Sequence, residues 1–397
     1  MRTIGIICEY NPFHNGHLRQ FRLARERAGE KSALVCLMSG NYVQRGEPAL
    51  FPKRLRAEAA VRCGADLVLE LPLTVALSSA EGFAAGGVRI LSALGCEFLC
   101  YGIESEDHNK IMSTARANLD PAFDVLLRRE LKSGCSYPTA RQRALEALGA
   151  GAGLSSPNDI LAVEYCKAIL RQQSALQSLP IRRPDSYHAD SLDPEAPSAS
   201  ALRQSFGRQG QGLPQQAMGR EASWHCAVPT VLHDLYEGAP IHTLQAGERA
   251  VLALLRSLPD EAFAALPYGS EGLWSKFRKA CRACTGVEEI LEATKSKRYA
   301  RTRIQRMLLC ACLGLCKQDL ESPPPYARIL AFNQTGRALL REMKSRFPLV
   351  HAGEVPEDAA YYALECRAAA LYSLFSAEDL CSAAEEAGQR VFVAETF

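Results

Sequence analysis

Two histidines three residues apart, His14 and His17, with Gly16 between them, are the side chains of this 397-residue chain best spaced to handle a phosphate. They sit in Ile6-Ile-Cys-Glu-Tyr-Asn-Pro-Phe-His-Asn-Gly-His-Leu18. An apolar run of strand length (Thr3 to Cys8) precedes them, and Leu18, Phe21, Leu23 and Ala24 follow at helical spacing. The layout this predicts is strand, turn, helix, with Asn11-Pro12 at the turn. Both imidazoles then fall on the first helical turn, where unpaired backbone N–H groups and the positive end of the helix dipole attract an anion. Gly16 removes a side chain where a nucleotide would approach the backbone. Taken alone, the same residues also suit a pair of surface or core histidines, so the surrounding elements matter.

Residues 1–105 read as alternating strand and helix: strand 3–8, helix 15–28, strand 33–38, helix 53–63, strand 65–71, helix 80–94, strand 97–102. That alternation predicts an α/β fold, a Rossmann-like parallel sheet covered on both faces, with ligands outside the carboxyl ends of the strands. Helical patterns follow at 121–132, 138–149 and 158–172, then a strand at 178–182. A loop rich in Pro, Asp and Ser (184–198) leads to a helix opening at Ser198 or Ser200. The stretch Gly207 to Gly219, rich in Gly and Gln, reads as a linker. Beyond it strands largely disappear, and helices are expected at 245–257, 259–265, 271–284, 287–293, 297–317, 327–345 and 358–376. Two domains result: a nucleotide-binding unit over 1–208 and a mostly α-helical unit over 209–397.

The apolar fraction of 47% and a net charge of +2 describe an ordinary water-soluble chain. The most apolar long stretch, 71–95, is interrupted by Glu81 and Arg89, and the N-terminus moves straight into a strand without a charged leader, which predicts a cytoplasmic protein. Fifteen cysteines, mostly inside helical or strand patterns, predict reduced buried thiols. Cys281-x-x-Cys284 and Cys310-x-Cys312-x-x-x-Cys316 lack paired zinc-knuckle spacing, and Leu308 to Leu315 is an apolar helical stretch, so no metal site is expected there. Charge is unevenly spread. From Lys276 to Arg306 there are ten basic residues (Lys276, Arg278, Lys279, Arg282, Lys295, Lys297, Arg298, Arg301, Arg303, Arg306) against Glu288, Glu289 and Glu292. Such a run is usually a solvated helix face.

His-x-Gly-His after a first strand is the pattern of the nucleotidyltransferase superfamily. Further segments are in register with one family of it: Ser39-Gly-Asn-Tyr-Val-Gln-Arg-Gly-Glu-Pro48, Gly64-Ala-Asp-Leu-Val-Leu-Glu-Leu-Pro72, Tyr101-Gly-Ile-Glu104, Pro157-Asn-Asp-Ile160, Arg182 five residues before Tyr187-His188, and Ser198-Ala-Ser-Ala-Leu-Arg203. Over most of its length the chain resembles the tRNA(Met) cytidine acetate ligase family. The family more often reads Ser-Ala-Thr-Ala-Ile-Arg at the last segment, so Ser200 and Leu202 depart from it while the hydroxyl and the arginine are kept.

The resemblance implies a two-step ligase. Acetate attacks the α-phosphate of ATP to give acetyl-adenylate and pyrophosphate, and the N4 amine of the wobble cytidine (position 34) of elongator tRNA(Met) then takes the acetyl group. It assigns His17 to the α-phosphate in the transition state and His14 to the neighbouring phosphate oxygens. It implies an ATP-binding stretch of Ile7, Cys8, Glu9, Tyr10, Asn11, Pro12, Phe13, His14, Asn15, Gly16, His17, Leu18, Arg19 and Gln20, joined by Gly102, Asn158, Arg182 or its neighbour Arg183, Ser200 and Arg203. Gln44, Arg45 and Lys53 belong to its second motif and face either acetate or RNA. Mg2+ would accompany the triphosphate, although no acidic cluster marks a dedicated metal site. Lys297, Arg298, Tyr299, Arg301 and Arg303 put cations and an aromatic on one expected helix, as phosphate contacts and a stacking platform require. The family has a similar segment there, and tRNA binding is expected of it. Two other classes share parts of the pattern: a small-molecule adenylyltransferase of coenzyme synthesis, and a non-catalytic nucleotide- or RNA-binding protein.

Overall fold

The computed structural model describes residues 1–150, 156–183, 192–193, 197–209, 224–376, 382–383 and 388–394. Strands β1 (Thr3–Cys8), β2 (Ala33–Ser39), β5 (Leu67–Leu71), β6 (Phe98–Ile103) and β7 (Gln177–Arg182) form the parallel core of one sheet, and β3 (Tyr42–Val43) and β4 (Glu47–Pro48) form a separate short hairpin. The sheet order is β10-β8-β5-β2-β1-β6-β7, with β9 also on β8; these late strands are β8 (Ala327–Phe332), β9 (Leu349–His351) and β10 (Phe392–Val393). Every residue of β2 is buried because both faces are covered. Alternation then splits it between two layers: Val35 and Leu37 join one core, Leu34, Cys36 and Met38 the other.

Helices α1 (Asn15–Ala28) and α2 (Lys53–Arg62) cover the second face, while α3 (Leu73–Ala76), α4 (Ala80–Ala93), α5 (His108–Ala117), α6 (Pro121–Lys132), α7 (Tyr137–Ala147) and α8 (Pro157–Arg171) belong to the first and its flank. Past α9 (Ala199–Gln209) and α10 (His233–Tyr236) comes the helical region: α11 (Glu248–Ser257), α12 (Asp260–Ala264), α13 (Leu273–Ala283), α14 (Val287–Thr294), α15 (Arg301–Leu313), α16 (Lys317–Glu321), α17 (Gln334–Met343) and α18 (Ala359–Tyr372). α15 is its axis, buried from Ile304 to Leu313. Cys281, Cys310 and Cys312 lie in this third core, and burial pushes the Cys281 and Cys310 thiols up to about 12. The cysteines among the described residues are all free, and no group there of three or more His, Cys, Asp or Glu is arranged around a metal position. No helix among the described residues is long and apolar enough to cross a membrane.

The Rossmann-like core and the helical region match expectation, but two local expectations fail. The 327–345 segment is a strand followed by a helix, because Ala327–Phe332 is buried on both faces and Asn333 caps the helix behind it through Gly336 N at 3.0 Å. A short apolar run has no periodicity that separates strand from helix. This strand pairs antiparallel with β5, so the sheet is mixed and takes strands from beyond residue 209. Second, residues 297–300 form a turn, with Ser296 bridging Tyr299, and the helix begins at Arg301. The hairpin 42–48, α3, α5, α10, β9 and β10 have no counterpart among the expected elements. Of the expected linker, residues 210–219 lie outside the described residues, as do Tyr187 and His188.

One buried cation ties the sheet's carboxyl edge together. Arg56 on α2 is fully buried; its Nε donates to Phe51 O (2.9 Å), Nη1 to Ser39 O (3.0 Å) and Glu9 O, and Nη2 to Gly40 O. Arg56→Leu leaves those carbonyls without donors and is expected to cost about 3–5 kcal/mol, the range for breaking a buried charged network. Urea denaturation of both proteins checks this; a loss within experimental error would show that the carbonyls find other partners.

Candidate functional site

The turn after β1 is held from three sides. Tyr10 takes a left-handed conformation (φ 44°), and the Asn11-Pro12 peptide is cis. Asn11 Oδ1 accepts from Leu50 N at 2.7 Å, and its carbonyl accepts from Arg203 Nη1 at 2.9 Å. Phe13 N donates to the Tyr236 hydroxyl at 3.1 Å, and Asn15 Nδ2 to Cys226 O at 3.0 Å. The Phe13 ring is packed against Tyr10 and Phe21 in the core. The turn is therefore rigid where it delivers α1.

His14 is the N-cap of α1. Its Nδ1 accepts from Gly16 N at 3.1 Å, while His17 Nδ1 accepts from His14 N at 3.3 Å, a reciprocal capping box closed by two imidazoles whose rings stack at 3.8 Å. Each ring that accepts at Nδ1 and is neutral carries its proton on Nε2, where it donates. Neutrality is enforced: burial first, then Arg183 and Arg203, bring His14 down to about 3, and burial, His14 and Arg183 hold His17 well below its usual range. Gly16 has a reason that the sequence did not disclose, since a Cβ there would press on the His14 ring at 2.9–3.0 Å.

His17 opens onto a cavity of about 360 Å³ at the carboxyl ends of β1, β6 and β7, within the range of about 300–1,000 Å³ common for small-molecule sites. Of the expected ligand-binding residues, Ile7, Cys8, Glu9, Tyr10, Asn11, Gly16, His17, Arg19, Gln20, Gly102, Asn158, Arg182, Arg183 and Arg203 line it, as do Gln44 and Arg45. Pro12, Phe13, His14, Asn15, Leu18 and Ser200 do not line it. His14 stands behind His17, Leu18 faces outward, and Ser200 Oγ accepts from Arg203 Nη2 at 3.1 Å, so the hydroxyl steadies the arginine. Lys53 is also elsewhere, paired with Glu70 at 2.9 Å.

Three helix N-termini converge on this space: α1 through Gly16 and His17, α8 through Pro157 and Asn158, and α9 through Ala199. With five arginines (Arg19, Arg45, Arg182, Arg183, Arg203) against the carboxylate Glu9 among the described lining residues, the cavity is built for a polyanion. Arg182 pairs with Glu106 at 3.0 Å. Burial raises the Glu9 carboxyl, opposed by its bond from Gln44 N and by Arg203, Arg45 and Arg56. A Cβ on Gly102 would only touch the Arg183 side chain at 3.5 Å, so neither backbone nor packing demands glycine there, and the open space in front is the cavity. Phe83, Ile160, Leu161 and Tyr165 add an apolar wall unmarked in the sequence because helix periodicity assigns such residues to a core.

The basic segment is different. Arg298 pairs with Glu271 at 2.9 Å, which also accepts from the Tyr299 hydroxyl at 2.8 Å; Arg301 is bidentate to Glu288 and reaches Glu292. Arg303 donates to Tyr268 O at 2.8 and 3.0 Å and to Ser270 Oγ at 2.9 Å, a structural clamp. Lys297 is exposed on the turn. Yet the segment is joined to the cavity: Arg306 Nη1 donates to Gln44 O at 3.1 Å, Gln305 Nε2 to Glu47 at 2.7 Å, and Gly46 (φ 81°) lies so close to the Arg306 backbone that a Cβ would collide.

Residues 1–387 match the model of the HIGH Nucleotidyl Transferase family. A tRNA(Met) cytidine acetate ligase of Acetivibrio thermocellus is 35% identical over 366 residues, 88% of each chain, and one of Syntrophomonas wolfei 33% over 404 residues, 94% of this chain and 95% of the other. The crystal structure of apo Thermotoga maritima TmcAL superposes with a TM-score of 0.87 at 30% identity, covering 99% of this chain and all of that one. The same protein bound with alpha-thio ATP gives 0.84 at the same identity and coverage.

The histidine pair also sets a pH response. His14 falls from 6.5 to about 3 on folding, so the unfolded chain binds more protons between those values and stability drops as pH falls below about 6.5. His14→Gln, which can still accept from Gly16 N, should flatten the decline of urea midpoint between pH 6.5 and 4. An unaltered slope would mean that His14 is not held neutral.

Proposed function

The chain belongs to the HIGH nucleotidyl transferase family and, within it, to the tRNA(Met) cytidine acetate ligases, and from that membership we propose how its residues carry out the reaction. It is an ATP-using ligase that joins acetate to a cytidine of tRNA(Met). ATP lies in the cavity beside His17, triphosphate toward the three helix N-termini and the arginines; this convergence of positive ends is the observation that carries the assignment. An acetate oxygen attacks the α-phosphorus, the bond to the β-phosphate oxygen breaks, and pyrophosphate leaves. A carboxylate is a poor acyl donor, and the mixed anhydride acetyl-adenylate supplies a good leaving group. His17 donates from Nε2 to the α-phosphate as charge shifts in the transition state, and His14 fixes its ring and the start of α1. Before ATP binds, burial, His14 and Arg183 keep His17 neutral, and the bond its Nδ1 accepts from His14 N leaves Nε2 as the donor aimed into the cavity.

The N4 amine of the wobble cytidine (position 34) of elongator tRNA(Met) then attacks the acetyl carbonyl. The C–N bond forms, the C–O bond to phosphate breaks, AMP leaves with the electron pair, and the amine gives up a proton to solvent. Mg2+ would be held mainly by phosphate oxygens and water, and Glu9, the one carboxyl among the described lining residues, is the protein group that would assist it. It would neutralise charge on the departing pyrophosphate. Residues 1–208 hold the ATP and acetate chemistry and 209–397 take the tRNA, in the cytoplasm where that RNA is found.

Acetate-dependent exchange of labelled pyrophosphate into ATP, without RNA, tests activation. The wild type should show it, and His17→Ala should lose at least ~10²-fold, the usual effect of removing one preorganised donor. Exchange that ignores acetate would return the chain to small-molecule adenylyltransferases, and a fully active His17→Ala would remove His17 from the chemistry. Nucleoside mass spectrometry of treated tRNA should show N4-acetylcytidine.

For RNA binding the exposed turn is the place to cut. Lys297→Ala with Arg298→Ala should weaken tRNA binding and reduce its salt dependence by roughly one log unit for each phosphate no longer held, with activation unchanged. Arg303→Ala should instead lower the melting temperature, because its bonds to Tyr268 O hold the fold. An unaltered salt slope in the double variant would make the turn an ordinary solvated surface.

A further inference from the structure

On the far side of the 42–48 hairpin lies a second cavity of about 480 Å³ that the ATP chemistry leaves unused. Its walls come from the hairpin, from Leu50, from the segment 242–248 and from the first residues of α14 and α15. Arg203 lines both cavities, and the hairpin turns Gln44 and Arg45 to the first while Glu47 and Pro48 line the second. The Arg203 side chain and this hairpin are thus the partition between the two spaces. Acetate has no need of the second one, since it must meet the α-phosphate in the first.

We propose that this second cavity receives the acceptor nucleotide of the RNA, an unpaired pyrimidine, a placement that rests on the ligase reading above. The half-buried Leu244 offers apolar surface for the flat face of a base, with the buried Pro48 and Leu50 packed around it in the same wall. Gln245, exposed at the rim, supplies an amide with both donors and an acceptor for a base edge, and the buried Gln305 fixes the Glu47 carboxylate of the wall through Nε2 at 2.7 Å. Arg301 opens α15 at the cavity, directly after the turn carrying Lys297 and Arg298, so RNA backbone held on that turn leads into it. From there the N4 amine meets the acetyl carbonyl past Arg203; the C–N bond forms, the C–O bond of the adenylate breaks, AMP departs with the electron pair, and the surplus proton goes to solvent.

Gln245 is exposed at the rim and has no part in the ATP cavity, so Gln245→Trp can fill the second space without touching the first. Acetate-dependent pyrophosphate exchange should be retained, while acetyl transfer to tRNA falls by roughly 10²-fold, the scale of a misplaced reactant. Gln245→Ala, which empties the rim, should transfer far better than the tryptophan variant. A second measurement needs no variant: wild-type protein irradiated with tRNA carrying 4-thiouridine at the acceptor position should be labelled within 242–248 or 287–305. Full transfer by Gln245→Trp, or label confined to other peptides, overturns the placement. If the wild type itself shows neither exchange nor acetylcytidine, the ligase reading fails and takes this site with it. Activity in the wild type with an undisturbed tryptophan variant sinks the placement alone.

Discussion

The carboxyl ends of β1 and β2 are where this sheet must open to admit a ligand, and the Arg56 guanidinium is what keeps them in place once opened. Strand carbonyls past the last ladder bond have no neighbour to donate to them. One fully buried cation takes up those of Glu9, Ser39 and Gly40 together with that of Phe51. Burial disfavours the charge, and Tyr372 and the Glu9 carboxylate offset that. From this point two lines of interaction leave. One runs through the Glu9 side chain to Gln44 N at 2.7 Å and along the hairpin to α15; the other runs through the turn to His14 and α1.

Histidine suits its place in that second line better than lysine would. The cavity already has arginines and three helix N-termini, so, with ATP placed there as proposed, a further full charge would bind ATP and product alike. A neutral imidazole adds a donor at a defined atom, and stacking on a second imidazole fixes its direction. The cost of burying two rings without charge is small as long as each Nδ1 finds a backbone N–H, and both do.

The helical region is not an appendage. β8 lies against β5 within the sheet, Asn333 reaches Asp66 through both its backbone and its side chain, and Tyr372 donates to Ala49 O at 2.9 Å. On the assignment proposed above, activation and RNA capture share one framework, and the hairpin between them touches the first cavity on one side and α15 on the other.

How much of this could be read from the residues follows from the range of each interaction. The strand-turn-helix around His14 and His17 and the parallel alternation to residue 105 were legible because local periodicity and turn chemistry carry them, whereas Gly102, Asn158 and Arg203 were singled out by the family resemblance, and it is the folded sheet that brings them around one cavity. Residues 327–332 were not, since a six-residue apolar run is strand or helix according to what it packs on, and its partner β5 lies more than 250 residues earlier. Nor did a charge run reveal that Glu288, Glu292 and Glu271 neutralise Arg301 and Arg298, because those carboxylates arrive from other elements. Arg56 stood in the sequence as one more basic residue of the helix expected over 53–63. Only the assembled sheet, by leaving four carbonyls without donors around one point, decided that its charge would be buried there.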